Sequence, residues 1–181
     1  MDWLNQLTDM MDKYRAGNSA HVPGSVDADF DRLSKHAPPA DLAEGLAEAF
    51  RSSQTPPFSS MLSQLFGRSQ STQKANVLNT LAATLGPALV SQLLANHGAH
   101  QAAKQVESGA PSISPEIAEQ IPANSIEAMA NEAEKRDPSI VDRISKFYAD
   151  QPAVLKTLGG LALTVAMAKV AQRQTETKGS G

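Results

Sequence analysis

The hydrophobic residues of this chain are mostly of the kinds that favour helices. Its 181 residues include 28 Ala and 17 Leu, against 9 Val and 6 Ile, and aromatic residues make up only 4%. Ala and Leu have high helix propensity, whereas β-branched and aromatic residues are the ones that fill strands. Because residues of the second kind are scarce, the composition argues against sheet-rich folds and predicts an all-α protein.

Proline recurs along the chain and divides the helical pattern into short segments. The main breaks are Pro38-Pro39, Pro56-Pro57, Gly86-Pro87, Ile121-Pro122, Asp137-Pro138 and Gln151-Pro152. Between these breaks the apolar residues recur at helical spacing. We therefore predict an irregular bundle of seven to nine short and medium helices, with helices 77–95 and 153–172 central. Because proline removes a backbone hydrogen bond, we expect a kink or a complete break before Pro87.

Loop-forming residues predict three parts along the chain. Residues 1–55 form an N-terminal helical segment, residues 58–172 form the main helical domain, and residues 173–181 form a tail. The tail is polar and ends in glycine, so we expect it to be disordered. Within the main domain, Ser108-Gly109 predicts a flexible connection near residues 104–112.

The first predicted helix runs from about Asp2 to Arg15 and has one apolar face. Apolar residues recur there at helical spacing, and the basic residues fall in its last turn, as the helix dipole favours. The apolar residues of this face are Trp3, Leu4, Leu7, Met10, Met11 and Tyr14. The segment is therefore predicted to be an amphipathic helix.

Two longer stretches have an unusual shortage of charge. No formally charged side chain occurs between Lys74 and Lys104, which predicts a buried or interface helix. Helical positions from Val154 to Val170 are apolar on nearly every side, and Lys156 and Lys169 bracket the uncharged part. That part is too short to favour a membrane span. The alternatives are a central core helix, an oligomer interface and a membrane contact.

Residues that carry catalysis or bind metal do not form a recognisable pattern. Cysteine is absent, which excludes disulfides and thiolate chemistry. His97 and His100 have the spacing of a metal-ligand pair, but no third ligand lies nearby and Gly98 weakens the helix. Nucleophile elbows, phosphate loops and dinucleotide fingerprints are also missing. We therefore predict a protein that is not an enzyme and has no metal site and no cofactor.

Six short segments stand out between residues 58 and 170, namely Phe58–Gly67, Val77–Leu81, Ile113–Glu116, Asp137–Asp142, Phe147-Tyr148 and Val154–Gly160. Together they resemble the YidB-like family of unknown function, a group of uncharacterised bacterial helical proteins. The resemblance covers roughly residues 58–170. It implies a bacterial helical protein with no established activity, and it transfers no catalytic residues.

These observations predict a protein that acts through protein–protein contact, above all self-association. The surplus of apolar residues on short helices is the reason. The candidate interface residues are Leu62, Leu65, Phe66, Leu89, Leu93, Leu158, Leu161 and Val165. Nucleic acid is not an expected partner, because the formal net charge is −3 and duplex-binding surfaces are usually basic.

The alternative is a peripheral membrane protein whose C-terminal apolar helix binds anionic lipid. Four basic residues would then face the lipid headgroups, namely Lys156, Lys169, Arg173 and Lys178. The start of the chain lacks the basic and apolar pattern of a signal peptide. The expected compartment is therefore the cytoplasm, with membrane association as the alternative.

Overall fold

The computed structural model describes residues 26–109 and 112–179, and the side chains as far as Arg173. These ranges contain eleven α-helices and no strand, which confirms the all-α class. The helices are α1 (Val26–His36), α2 (Pro39–Arg51), α3 (Phe58–Arg68), α4 (Ser71–Leu85), α5 (Pro87–Asn96), α6 (His100–Glu107), α7 (Pro115–Ala118), α8 (Ala123–Arg136), α9 (Ile140–Ala149), α10 (Pro152–Leu155) and α11 (Gly160–Gly179). The predicted first helix, Asp2 to Arg15, lies outside the described residues.

The predicted number of helices, seven to nine, is wrong. Helix α6 extends into the predicted flexible connection, and the predicted helix 153–172 is divided in two. Gly159 causes that division, because its φ of 95° lies in a region that L side chains rarely adopt and a helix does not use. A 3₁₀ turn at Lys156–Leu158 joins α10 to the break, and α11 starts directly after it.

The break before Pro87 is confirmed. Of the two predicted forms, a kink or a complete break, the structure has the complete break. Helix α4 ends at Leu85 and α5 begins at Pro87, with Gly86 between them. Proline is well suited to the first position of a helix, where its missing N–H has no partner to lose. The segment predicted at 77–95 is therefore two helices rather than one kinked helix.

The described chain folds as two compact units. The first contains residues 26–57 and 145–179, and the second contains residues 58–144 except the pair 110–111. The sequence predicts residues 145–172 as part of the main domain and a polar tail from residue 173. In the structure the C-terminal residues group with the N-terminal ones instead, and α11 continues as far as Gly179.

In the first unit, α11 packs against α2 and, less extensively, against α1. The approach of α11 to α2 is close at Gly45, where an added methyl carbon would lie 2.5 Å from the backbone oxygen of Ala166 and 2.8 Å from Val170 Cγ2. Small side chains such as Ala49 and Ala162 are buried in the same unit. The two helices therefore meet through small residues and partly through backbone.

In the second unit, α4 has the largest number of helical neighbours. It contacts α5, α7 and α8, while α3 packs on α8 and α6 packs on α5. Buried leucines on α4 supply its share of the core, with Leu78 and Leu81 completely buried. Met129 of α8 is also completely buried. The core of this unit therefore lies around α4 and between α3 and α8.

Replacing Gly45 with alanine tests the close approach of α2 and α11. Gly45→Ala should lower the free energy of unfolding by about 1–3 kcal/mol, because the new methyl group overlaps the backbone of α11. Chemical denaturation followed by circular dichroism measures this change.

Gly67→Ala is the matched control. Gly67 lies in α3, is exposed, and has no atom within 4 Å of an added methyl carbon. The same substitution there should raise stability by roughly 0.5–1 kcal/mol, the difference in helix propensity between the two residues. Equal effects of the two substitutions would contradict the packing described for Gly45.

Candidate functional site

The predicted interface residues fall into two groups by burial. Leu62, Leu65 and Phe66 lie on α3 and belong to the core of the second unit, since none of them is more than 1% exposed. The other five predicted residues are half-buried. The three α3 residues therefore stabilise the fold of the unit, and only the half-buried residues have surface to offer a partner.

Leu89 and Leu93 form a half-buried pair on α5. They are four residues apart and therefore lie on the same side of the helix. The neighbouring residues Pro87, Ala88 and Gln92 are exposed. Val90 and Leu94, which lie about 100° around the helix from this pair, are completely buried. Helix α5 thus presents apolar side chains on both its core side and its solvent side.

The side chains of α5 itself and of the second half of α4 carry no formal charge. Helix α5 and the second half of α4 lie within the stretch between Lys74 and Lys104. We define the uncharged face as the exposed and half-buried residues Ala83, Pro87, Ala88, Leu89, Gln92 and Leu93. Depletion of charged residues is the compositional signal of the central part of a protein–protein interface.

A groove of about 360 Å³ lies beside the uncharged face. Ala83 and Pro87 belong to both, so the groove and the face are continuous. The complete lining consists of Asn79, Ala82, Ala83, Pro87, Gln105, Val106, Gly109, Ser112 and Ile113. None of these residues is charged, and most of their side chains are apolar. The groove is therefore suited to an apolar side chain rather than to an ion.

Asn79 and Gln105, two polar residues that line the groove, form hydrogen bonds between its walls. The Ile113 N–H donates to Asn79 Oδ1 at 2.8 Å, and Asn79 Nδ2 donates to the Ile113 carbonyl at 3.4 Å. Gln105 Oε1 accepts from the Ser114 N–H at 3.3 Å. These bonds join α4 and α6 to the segment that precedes α7. The shape of the groove is thus supported by hydrogen bonds on both sides.

Two arginines hold the end of α4 next to the uncharged face. Arg136 Nη1 donates to the Leu85 carbonyl at 3.2 Å, and Arg143 Nη1 donates to Thr84 Oγ1 at 3.4 Å. Arg143 is held in turn by Asp137, with 2.8 Å between Nη2 and Oδ2. Hydrogen bonds from Ser139 and the charge of Arg143 lower the pKa of the Asp137 carboxyl below its ordinary value of 3.8.

The half-buried residues of α11 lie on the side of the helix opposite its core contacts. Leu163, Ala166 and Val170 are buried and line a small cavity with residues of α1 and α2. We define the outer face of α11 as the residues Leu161, Val165, Ala168 and Gln172, of which the first three are half-buried and the last is exposed. Their spacing of three and four residues places them on one side. Leu158 precedes this helix and lines the same cavity as the core residues.

Two of the four basic residues predicted to face lipid form ion pairs within the first unit. Lys156 Nζ lies 3.0 Å from Asp31 Oδ1, and Arg173 Nε lies 3.0 Å from Asp41 Oδ1. Arg173 also forms an ion pair with Glu44. Lys169 is half-buried on α11, and the side chain of Lys178 lies outside the described residues.

Neither a membrane span nor a metal cluster is found in the part of the chain that the structure describes. No helix in residues 26–109 and 112–179 combines the length and the hydropathy needed to cross a bilayer. The same ranges contain no group of three or more His, Asp or Glu side chains placed to hold a metal ion. His97 instead contacts the Leu93 carbonyl through Nδ1 at 2.8 Å.

Comparison with protein-family models, with curated proteins and with solved structures finds no match for this chain. The resemblance to the YidB-like family therefore stays a prediction, and the candidate site is defined by geometry alone. The charge-free stretch is visible in the sequence. The groove is not, because it depends on Asn79 of α4 meeting Ile113, two residues that are 34 positions apart.

Asp137 should titrate below its ordinary pKa of 3.8 in the folded protein. Because the folded-state pKa is lowered, the stabilisation from this carboxylate is complete above the ordinary pKa and is lost as the pH falls through the lowered one. A side-chain NMR titration measures the shift. Ser139→Ala removes one of its hydrogen bonds and should return the midpoint part of the way towards 3.8. A midpoint in the unchanged protein at or above the ordinary value would contradict this electrostatic network.

Proposed function

We propose that this protein is a non-enzymatic helical protein that associates with a second copy of itself through the uncharged face of the second unit. The observation that carries the proposal is the position of a half-buried apolar pair next to an uncharged groove. Half-buried Leu89 and Leu93 stand beside an uncharged groove that shares Pro87 with their own face.

This arrangement is self-complementary. In a two-fold dimer the same patch is used by both copies, so each copy offers its leucine pair to the groove of the other. Complete burial of a fully exposed leucine side chain contributes about 1.5–3 kcal/mol, and half-buried Leu89 and Leu93 each gain part of that amount. No residue of the uncharged face has a charge to desolvate, so this gain is not offset by the cost of burying an ion.

The absence of a catalytic role is part of the proposal. No titratable side chain lines the groove, and the amides of Asn79 and Gln105 are occupied by the backbone near Ile113. General acid–base catalysis needs a titratable group within hydrogen-bond reach of its substrate. These features support a surface that binds another protein rather than one that transforms a small molecule.

Binding to anionic lipid is the weaker alternative. It requires basic side chains that are free to approach headgroups, whereas Lys156 and Arg173 form ion pairs with acidic residues of α1 and α2. We therefore propose self-association rather than lipid binding.

Leu93→Glu should abolish self-association. The unchanged protein is expected to form dimers at tens of micromolar in sedimentation or light-scattering measurements. A buried carboxylate on each copy, with the loss of two leucine side chains, should weaken the dimer by about a hundredfold or more. Val154→Glu is the matched control, because Val154 is also half-buried but lies on α10 in the first unit.

The control variant should associate like the unchanged protein, and circular dichroism should show both variants folded. A monomeric unchanged protein at these concentrations would overturn the proposal. Equal association of Leu93→Glu and the unchanged protein would also overturn it.

A mixing experiment tests the contact between the leucine pair and the groove. The double variant Leu89→Ala/Leu93→Ala removes the leucine pair, and Ala83→Phe fills the groove from an exposed position on α4. Neither variant should dimerise alone, because each homodimer would lack both contacts. A mixture should associate, because one intact leucine pair then meets one intact groove. Dimerisation of Ala83→Phe alone would show that the groove does not take part.

A further inference from the structure

One wall of the groove has no regular secondary structure. Residues 112–114 lie between α6, which ends at Glu107, and α7, which begins at Pro115. Within the residues that the structure describes, no backbone group bonds to the N–H or the carbonyl of Ile113. Both groups pair with one side chain of α4 instead, since Asn79 Oδ1 accepts from the N–H at 2.8 Å and Asn79 Nδ2 donates to the carbonyl at 3.4 Å. The polar attachment of this wall to α4 therefore depends on a single amide.

The burial of Ile113 makes this pairing necessary. Only 4% of the residue is exposed, so water has little access to its N–H and carbonyl. A buried backbone group without a partner costs free energy comparable to a lost hydrogen bond. Removal of the Asn79 amide would leave both groups unpaired, and the wall would then have to shift until water reached them. Asn79 is therefore the residue that positions this wall.

We propose that the Asn79–Ile113 pair controls the groove, so that self-association requires this pair to be formed. The inference rests on the proposed function, because it concerns the regulation of the same site. Ser112 and Ile113 line the groove together with Ala82 and Ala83 of α4. The pair fixes these two sets of residues relative to each other and thereby sets the shape of the recess that receives the leucine pair of a second copy.

Other hydrogen bonds hold the wall to its neighbouring helices without using Asn79. Gln105 Oε1 on α6 accepts from the Ser114 N–H at 3.3 Å. The Ser114 side chain also caps α7, because its Oγ accepts from the Ile117 N–H at 3.4 Å. Loss of the Asn79 amide should therefore change the groove locally and leave α6 and α7 folded.

Asn79→Leu tests the link between the pair and self-association. A leucine side chain neither donates nor accepts a hydrogen bond. The dissociation constant of the dimer should rise at least tenfold in sedimentation measurements, while circular dichroism shows an unchanged helix content. Asn76→Leu is the matched control, because Asn76 lies on the same helix but is exposed. The control should associate like the unchanged protein.

Hydrogen exchange of the Ile113 amide measures the pair itself. The measurement uses the Leu93→Glu background, which is expected to be monomeric, so that association does not protect the amide. Asn79→Leu should raise the exchange rate at Ile113 tenfold or more, because the N–H loses its acceptor. The amide of Leu81, a completely buried residue of the same helix, should keep its rate. Asn76→Leu should leave both rates unchanged.

Asn79→Asp provides a rescue that a purely structural role would not show. At neutral pH the introduced carboxylate has acceptors only, so it repels the Ile113 carbonyl. Below its pKa, ordinarily about 3.9 for this side chain, the neutral carboxyl has one donor and one acceptor, as the amide has. No titratable side chain lines the groove, so the introduced carboxyl is the group whose charge changes there.

The rescue is measured as the ratio of exchange rates at Ile113 between the Asn79→Asp variant and its parent. This ratio should be well above one at neutral pH and should fall towards one by about pH 3, where the carboxyl is neutral. Asn76→Asp should give a ratio near one at every pH.

The outcomes separate the two proposals. A monomeric unchanged protein would overturn the proposed dimer, and with it the role of the pair in association. Unchanged exchange at Ile113 in Asn79→Leu would overturn the present inference even if the unchanged protein dimerises, and so would a full-strength dimer of that variant. An equal rise of exchange at Leu81, or no rescue in acid, would make Asn79 a general support of the fold and would also overturn the inference.

Discussion

The first unit depends on the close approach of α2 and α11 at Gly45. An added methyl group there would lie 2.5 Å from the Ala166 backbone oxygen, so the two helices meet at a distance that only glycine permits. Dispersion contacts between closely packed atoms are individually weak but numerous, and the ion pairs of Arg173 with Asp41 and Glu44 border this contact. Because α2 and α11 lie more than one hundred residues apart, their packing brings both ends of the described chain into one unit.

Helix α11 differs from the helices it packs against, because it is apolar on its other side as well as on the side used in this packing. Its small and apolar residues are used on one side by α1 and α2, and its remaining apolar side is half-buried. A helix that is apolar all round must be surrounded.

The second unit shows how similar leucines acquire different roles. Leu62 and Leu65 on α3 are completely buried, whereas Leu89 and Leu93 on α5 are half-buried beside a groove. Each pair has helical spacing and apolar neighbours, so periodicity predicts an apolar side for both helices. Periodicity contains no information about which helix covers that side. The groove itself needs the hydrogen bonds between Asn79 and Ile113, which join segments that are distant in the sequence.

The sequence by itself determined the helical class, the break before Pro87 and the charge-free stretch between Lys74 and Lys104. These features are local, because Ala and Leu favour helix, proline cannot continue one, and charge is a property of single residues. Only the tertiary structure decided that α11 joins α2 and that the predicted interface leucines divide into core and surface. The division of the last helix at Gly159 also appeared only there, since glycine is tolerated within helices and the sequence pattern alone does not set its φ of 95°. Local propensity costs or contributes less than about 1 kcal/mol per residue, whereas burial of a large apolar side chain contributes about 1.5–3 kcal/mol. Because burial depends on partners far along the chain, the pairing of helices was not readable from the sequence.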